Sequence, residues 1–245
     1  MTEDTPLEIF LSGTPGFEHL LRDEAEDLGF AGAKAVPGGV TCDGDWSEVW
    51  RANLMLRGAG RVLARVARFR AMHLAQLDKR SRKIDWPALL RADVPYRVEA
   101  TCRKSRIYHA GAATERVENA IADALGTKPT EKAGLTVRVR IEDDLCEISL
   151  DTSGEGLHKR GHKQAIGKAP MRETLAALFL RACGYDGSEP VLDPMCGSGT
   201  FVIEAAEMAM GLAPGRDRQF GFENLASFDA NGWAALKASL AEPKP

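Results

Sequence analysis

The chain has 245 residues, 44% hydrophobic, 27% charged and 7% aromatic, with a formal net charge of −3. That length holds one large domain or two ordinary ones, and an apolar fraction this high with so small a net charge excludes general disorder. No apolar run reaches the roughly 18–20 residues that span a bilayer, and the acidic start MTEDTPLEIFLSG reads as neither a secretory signal nor a transit peptide. The five cysteines, Cys42, Cys102, Cys146, Cys183 and Cys196, are an odd, scattered set with no C-x-x-C pair. They predict no disulfide framework, no zinc ribbon and a reducing cytoplasmic setting.

The first 150 residues read as alternating short strands and helices. Leu7, Ile9 and Leu11 alternate with Glu8, Phe10 and Ser12, as in a half-buried strand. Phe17, Leu20, Leu21, Ala25 and Leu28 recur at helical spacing, and Gly29 stands where a helix-ending glycine belongs. Gly38-Gly39 predicts a turn before a short strand at Val40 to Cys42. Asp45 predicts the N-cap of a helix through Leu54, with Glu48 as its capping-box partner. Residues 61–70 fit a helix by spacing and a strand by β-branching. A helical pattern runs from Leu74 and ends before Pro87. Tyr96, Val98, Ala100 and Cys102 predict a strand with a mostly charged outer face, and residues 112–125 a helix with Val117, Ile121 and Leu125 on one stripe. Val137, Val139 and Ile141 face Cys146, Ile148 and Leu150 across Glu142-Asp143-Asp144, a hairpin. The pattern over 1–150 is α+β.

The chain changes character after Asp151-Thr152-Ser153-Gly154. Residues 154–170 are rich in glycine and bases and poor in apolar side chains, so they read as a linker or functional loop. Next comes an amphipathic helix from Met171 to Ala182, ended by Gly184. PVLDPMCGSGTFVIEAAEMAMG then predicts a short apolar strand, a glycine turn and a helix apolar nearly all round, interrupted only by Glu204 and Glu207. Such a helix is normally buried against a sheet, and the strand-turn-helix is the opening of a Rossmann-like α/β domain.

Charge is strongly segregated. Residues 1–60 hold 11 acids and 4 bases, residues 61–110 hold 4 acids and 13 bases, and residues 111–153 hold 9 acids and 5 bases. A second basic stretch, Lys159, Arg160, Lys163, Lys168 and Arg172, has no acid between Glu155 and Glu173. Two basic islands on an acidic chain point to a polyanionic partner, against the plainer reading of solvated faces. Arg103, Lys104, Arg106 and Tyr108 form a basic strand end with an aromatic, an RNA-contact candidate set beside the alternative of an ordinary exposed loop. Arg138 and Arg140 on the hairpin would extend that surface. His158 and His162 at i, i+4 lack a third ligand and have Gly161 between them, which favours a phosphate-contact loop over zinc.

The turn Asp193 to Thr200 sits where open α/β sheets bind ligands, and Gly197 and Gly199 let a ligand approach the backbone. A nucleoside triphosphate is disfavoured because no lysine follows the second glycine. A dinucleotide is disfavoured because Val202 stands where a third glycine is required. S-adenosylmethionine carries no phosphate and suits an acid at the strand end, which Asp193 supplies. The remaining alternative is a turn that only connects strand to helix.

VLDPMCGSGTFVIEAA, together with DTSGEGLHKRGHKQAIGKAPMRETLAALFL, resembles the THUMP-domain class I RNA methyltransferases, in particular the bacterial enzymes that methylate guanine N2 in 23S rRNA. The resemblance covers the whole chain, more in layout than in words over 1–150. It implies a ferredoxin-like region at 1–70, a THUMP RNA-binding domain at 71–153, a basic linker at 154–170 and an incomplete methyltransferase domain at 171–245. It also implies S-adenosylmethionine as cofactor, with Asp193, Pro194, Cys196, Gly197, Ser198, Gly199 and Thr200 as the cofactor-binding set. Cys196, by position a nucleophile candidate but without a basic partner, takes a packing role in this scheme. RNA, with 23S rRNA foremost, would be held by Arg103, Lys104, Arg106, Lys159, Arg160 and Lys163, and no metal is implied.

The family's Asn/Asp-Pro-Pro-Tyr/Phe catalytic motif is absent, as is a convincing ribose-binding acid; Glu223 stands near the required distance in an unsuitable setting. The expectation is therefore a truncated chain without catalytic residues, whose alternative function is RNA binding alone. A DNA or protein methyltransferase is a weaker rival, since the upstream domain resembles an RNA binder. Apolar side chains such as Leu192, Phe201, Val202, Ile203, Met208 and Met210 would forgo on the order of 10 kcal/mol of burial without a completed sheet. Residues 171–245 are thus expected to pack on the N-terminal region, self-associate or be poorly ordered.

Overall fold

The computed structural model describes residues 7–130, 134–161 and 171–240. In chain order the elements begin with β1 (Leu7–Ser12), α1 (Glu18–Asp27), β2 (Ala31–Val36), β3 (Gly39–Gly44), α2 (Trp46–Met55), β4 (Arg61–Arg70), α3 (Leu74–Ser81) and α4 (Trp86–Leu89). They continue with β5 (Tyr96–Arg103), α5 (Ala110–Leu125), β6 (Leu135–Glu142), β7 (Leu145–Asp151), α6 (Glu173–Ala182), α7 (Thr200–Ala209), a 3-10 turn at Gly221–Asn224 and α8 (Ala230–Ser239). The fold is α+β and falls into two compact units, one of residues 1–62, 155–219 and 229–245, the other of residues 63–154 and 220–228.

In the first unit β3 pairs antiparallel with β1, from Leu7 opposite Gly44 to Ser12 opposite Gly39, and with β2 on its other side. The strict alternation of β1 puts Leu7, Ile9 and Leu11 into the core with Leu21 and Ala25 of α1, Val40 and Cys42 of β3 and Val49 of α2. Asp45 caps α2 by accepting the Glu48 N–H, and Gly29 follows α1 at φ +77. α6 docks on α1 through Leu178, and Phe179 meets Phe17 edge-on. Leu178 leaves no room for a side chain at Gly58, where a Cβ would lie 2.6 Å from its methyl carbon.

The second unit is a sheet ordered β4-β7-β6-β5. β4 and β6 run antiparallel to β7, whereas β5 and β6 are parallel and joined through α5. The β6–β7 turn places Asp143 and Asp144 both at positive φ, +49 and +62, the backbone of a two-residue turn matched to strand twist. α5 packs on β5 and on α3, with Val117 and Ile121 buried. The 3-10 turn belongs here: the Phe222 N–H donates to the Thr152 carbonyl, and Leu225 bridges Leu90.

Three sequence expectations need correction, and one left open is decided. β2 has no counterpart among the predicted elements, because AGAKAV is small and largely exposed and carries no apolar alternation. Residues 61–70 are a strand, decided by the β7 ladder. The pattern from Leu74 stops at Ser81, and Pro87 sits inside the first turn of the separate α4, where a missing N–H costs nothing. Residues 190–193 are not a strand: no ladder partner flanks them among the described residues, and Leu192 is 89% exposed.

Candidate cofactor turn and nucleic-acid contacts

The glycine turn opens α7. Gly199 is its N-cap at φ +73, and Gly197 stands at φ +54 with open space where a Cβ would project. The Asp193 carboxylate accepts the Met195 N–H at 3.0 Å, folding the chain back at the turn's start. Ser198 and Thr200 hydroxyls lie 3.4 Å apart, and Thr200 Oγ1 donates to the Met171 carbonyl at 3.4 Å. Asp193, Ser198 and Gly199 are half-buried, Pro194, Cys196 and Gly197 are exposed, and Met195 is 90% exposed. Only Thr200 of the seven expected cofactor residues is buried. The turn thus presents backbone and a carboxylate to an incoming group, without a side chain at Gly197 to block it.

α7 turns its polar face inward. Thr200, Glu204 and Glu207 are buried, while Phe201, Val202 and Ile203 are half-exposed and Met210 is exposed. Arg57 Nη1 donates to Glu204 Oε1 at 2.8 Å, Arg160 bonds the other Glu204 oxygen, and Arg216 Nη2 donates to Glu207 Oε1 at 2.8 Å. Arg57 also donates to the carbonyls of Glu207 and Leu212, and Arg160 to the Arg57 carbonyl at 2.9 Å. Glu24 of α1 accepts the backbone N–H groups of Arg57 and Gly58. Burial pushes the Glu24 carboxyl above its ordinary range, and the two N–H donors pull it part of the way back. The expectation of a helix buried by its apolar residues, with Glu204 and Glu207 as mere interruptions, is therefore corrected: the two acids are its anchors, because three arginines outside it need buried carboxylates.

The expected RNA contacts separate into three groups. Arg103 at the end of β5 and Lys104 and Arg106 on the loop after it lie exposed, with Lys104 at φ +47 and Tyr108 83% exposed beside them. Asp144 pins that loop by accepting the Arg106 N–H at 2.8 Å, and the Ser105 hydroxyl accepts the Asp144 N–H. Arg103 and Arg106 keep long ion pairs of 3.9 and 3.6 Å with Glu142 and Asp144. Arg138 and Arg140 do not extend this surface as free cations: Arg138 binds Glu99 and Asp151, and Arg140 binds Glu142 and reaches Glu147. Lys159 is exposed and paired with Glu155 at 3.0 Å. Arg160 is the correction. It is 3% exposed and committed to Glu204, so it is an interior anchor and no surface contact. Lys163, Lys168 and His162 lie outside the described residues, as does most of the expected 154–170 linker. No group of three His, Cys, Asp or Glu side chains suited to a metal occurs among the described residues.

Three family models tile this geometry. One described as the RlmL ferredoxin-like domain matches residues 8–63, the THUMP domain matches 72–151, and one described as an RMKL-like methyltransferase domain matches 160–242. Over 231 residues the chain is 35% identical to the ribosomal RNA large subunit methyltransferase K/L of Vibrio campbellii, covering 91% of this chain and 33% of that protein. Over that stretch the chain is similar to the large-subunit rRNA methyltransferases K/L. The Vibrio cholerae protein of that name is also 35% identical, with the same coverage. The chain spans about a third of the length of these curated relatives. Among solved structures, a predicted N6-adenine-specific DNA methylase from Listeria monocytogenes superposes with a TM-score of 0.88 at 31% identity, covering 96% of this chain and 64% of that one. A putative methyltransferase, SMU.472, solved with S-adenosylhomocysteine, superposes with a TM-score of 0.87 at 26% identity, covering 97% and 65%.

Proposed function

We propose that this chain is the RNA-engaging and cofactor-opening part of an enzyme that transfers a methyl group from S-adenosylmethionine to guanine N2 in 23S rRNA. The observation that carries the reading is the open turn from Asp193 to Thr200 at the head of α7, on a chain whose preceding residues match a THUMP domain. A relative solved with S-adenosylhomocysteine supports the cofactor, and the rRNA methyltransferase relatives support the substrate over DNA. Asp193, Gly197, Ser198 and Gly199 line the methionine and ribose side of the site, with Pro194, Cys196 and Thr200 completing the cofactor-binding set. When bound, the cofactor supplies a methyl group on its own sulfonium leaving group, so the protein's task is to hold it and the amine in line. The target base must leave its stack to be reached.

Arg103, Lys104, Arg106 and Lys159 hold the RNA backbone, with Lys163 from the segment outside the described residues. The sequence contains no Asn-Pro-Pro or Asp-Pro-Pro run to clamp the amine, so the chain by itself binds RNA without turning it over. Its compartment is the cytoplasm, in keeping with five free cysteines, and no described helix is long and apolar enough to cross a membrane. Its functional division is 1–70, 71–153, 154–170 and 171–245. If about four of these five cations each neutralise a phosphate, the log K against log[salt] slope is about −3 for single-stranded RNA. Fluorescence anisotropy across a salt series measures it, and a slope near zero removes the RNA reading.

A further inference from the structure

Every Phe, Tyr and Trp side chain of the described residues is buried or half-buried except Tyr108, which is 83% exposed. Its chain neighbours are fixed. Ile107 is buried, and His109 caps α5 by accepting the Ala112 N–H at Nδ1, 3.0 Å away. The backbone that carries the ring is thus anchored on both sides. A large ring kept in water forgoes the burial that the other aromatic residues of the chain obtain.

Three loops at this end of the second unit's sheet are tied together. The Ala71 N–H donates to the Asp144 carbonyl at 2.9 Å, joining the end of β4 to the β6–β7 turn. The Asp144 carboxylate accepts the Arg106 N–H, while the Ser105 hydroxyl accepts the Asp144 N–H and donates to the Arg103 carbonyl at 2.8 Å. Arg106 Nη1 lies 2.9 Å from the sulfur of Met72, another exposed side chain. Arg70, Arg103, Lys104 and Arg106 share this end with Glu142, Asp143 and Asp144, so its charge is close to balanced. The pairs of Arg103 with Glu142 and Arg106 with Asp144, at 3.9 and 3.6 Å on exposed side chains, are weak enough to open for a phosphate. Electrostatics alone then gives feeble binding here, and the ring has to add to it.

We infer that Tyr108 is a stacking platform for an unpaired RNA base, tilting the second unit toward single strands. The inference rests on the RNA reading above and deepens it: Arg103, Lys104 and Arg106 hold the backbone, and Tyr108 takes a base of the same strand. Tyr108 is two residues from Arg106, at most about 7 Å along the chain, close enough for one nucleotide to meet both. In a duplex each base face is covered by the next pair, so the ring gains nothing; an unpaired base has a face to offer. Stacking needs no particular base but grows with the size of the ring system, so adenine gains more than uracil. Tyrosine loses little side-chain freedom in making such a contact, and the anchored backbone lowers the ordering cost further.

The test uses the full chain with fluorescein-labelled oligoadenylate, oligouridylate and a blunt-ended RNA duplex, read by anisotropy. Wild type is expected to bind oligoadenylate more tightly than oligouridylate. Tyr108→Ala should weaken oligoadenylate about 5- to 150-fold and oligouridylate less. It should leave duplex affinity and the salt slope as they are, because no charge is removed. Tyr108→Phe keeps the ring and binds as wild type does. Lys104→Gln acts the other way, flattening the slope by about 0.7 and weakening both oligonucleotides alike. Thermal melts report the fold of each variant. Tyr108→Ala binding oligoadenylate as tightly as wild type overturns the proposal and assigns the ring to a protein partner; the general RNA reading then survives. Equal losses on single strand and duplex, or a Tyr108→Phe variant as weak as Tyr108→Ala, overturn it as well, since neither is the mark of stacking. Absence of RNA binding by the wild type removes both readings together.

Discussion

At the scale of single residues, the thiols separate structural from accessible chemistry. Burial pushes the Cys42 and Cys146 thiols up to about 12, with neighbouring acids adding to the effect, so almost no thiolate forms at neutral pH. Cys183 and Cys196 are exposed, and Cys196 lies within the proposed cofactor turn. Iodoacetamide at about pH 8 is expected to modify Cys183 and Cys196 in the native protein and to reach Cys42 and Cys146 only after unfolding. Mass spectrometry of the labelled peptides gives each rate. Saturating S-adenosylhomocysteine should slow Cys196 and leave Cys183 unchanged; equal rates with and without it would remove the turn as a cofactor contact. The same scale shows where sequence reading stops. Arg160 looks like one base among several in a basic stretch, and only its partner Glu204, 44 residues on, reveals it as interior. A usable signal is present all the same: two acids three residues apart on an otherwise apolar helix need buried cations, and Arg57, Arg160 and Arg216 supply them.

At the scale of elements, α7 is held by charge where its composition suggests apolar packing. Glu204 sits between Arg57 and Arg160, and its side chain is 2% exposed. Removing its charge leaves the buried Arg160 guanidinium without the carboxylate it binds, while Arg57 keeps Glu207 at 3.8 Å. Breaking a buried pair by deleting one partner costs about 3–5 kcal/mol, far more than an exposed pair such as Lys159 with Glu155. Glu204→Gln is therefore expected to lower stability by that amount in urea denaturation, and Glu155→Gln by less than about 1 kcal/mol. A Glu204→Gln loss as small as that of Glu155→Gln would contradict the anchor.

Legibility of the other elements depends on the range of the interactions that fix them. β1, α2 and the β6–β7 hairpin are readable because alternation, a cap or a two-residue turn decides each locally. β4 is ambiguous because VLARVARF suits either period, and its register against β7, with Ala64 opposite Leu150 and Phe69 opposite Cys146, lies some eighty residues away. β2 carries too little apolar area to announce itself. The segment Pro190 to Asp193 reads as a strand and is none, since a strand exists only with a neighbour.

At the scale of the molecule, the first unit gathers chain segments that sequence order separates, and it leaves apolar surface on α7 and the turn before it. Leu192 and Met195 are nearly fully exposed, Val191 and Met210 partly so, and Phe201, Val202 and Ile203 are half-covered. Such side chains grouped within twenty residues exceed the scattered apolar exposure of an ordinary surface. Covering them is worth about 25 cal/mol per Å2 of apolar area, enough to drive weak association once a facing surface is offered. A second copy of the chain offers one at high concentration. Sedimentation equilibrium is therefore expected to give a mass above 26.6 kDa that rises with protein concentration. Added salt should strengthen the association, since it arises from apolar burial; an ionic contact would weaken instead. The triple substitution Leu192→Ser, Met195→Ser and Met210→Ser should return the protein to monomer without lowering its melting temperature, because these side chains are already in water. A wild-type chain that stays monomeric across the concentration range, or a triple variant that associates as strongly, would place the adhesive surface elsewhere or nowhere.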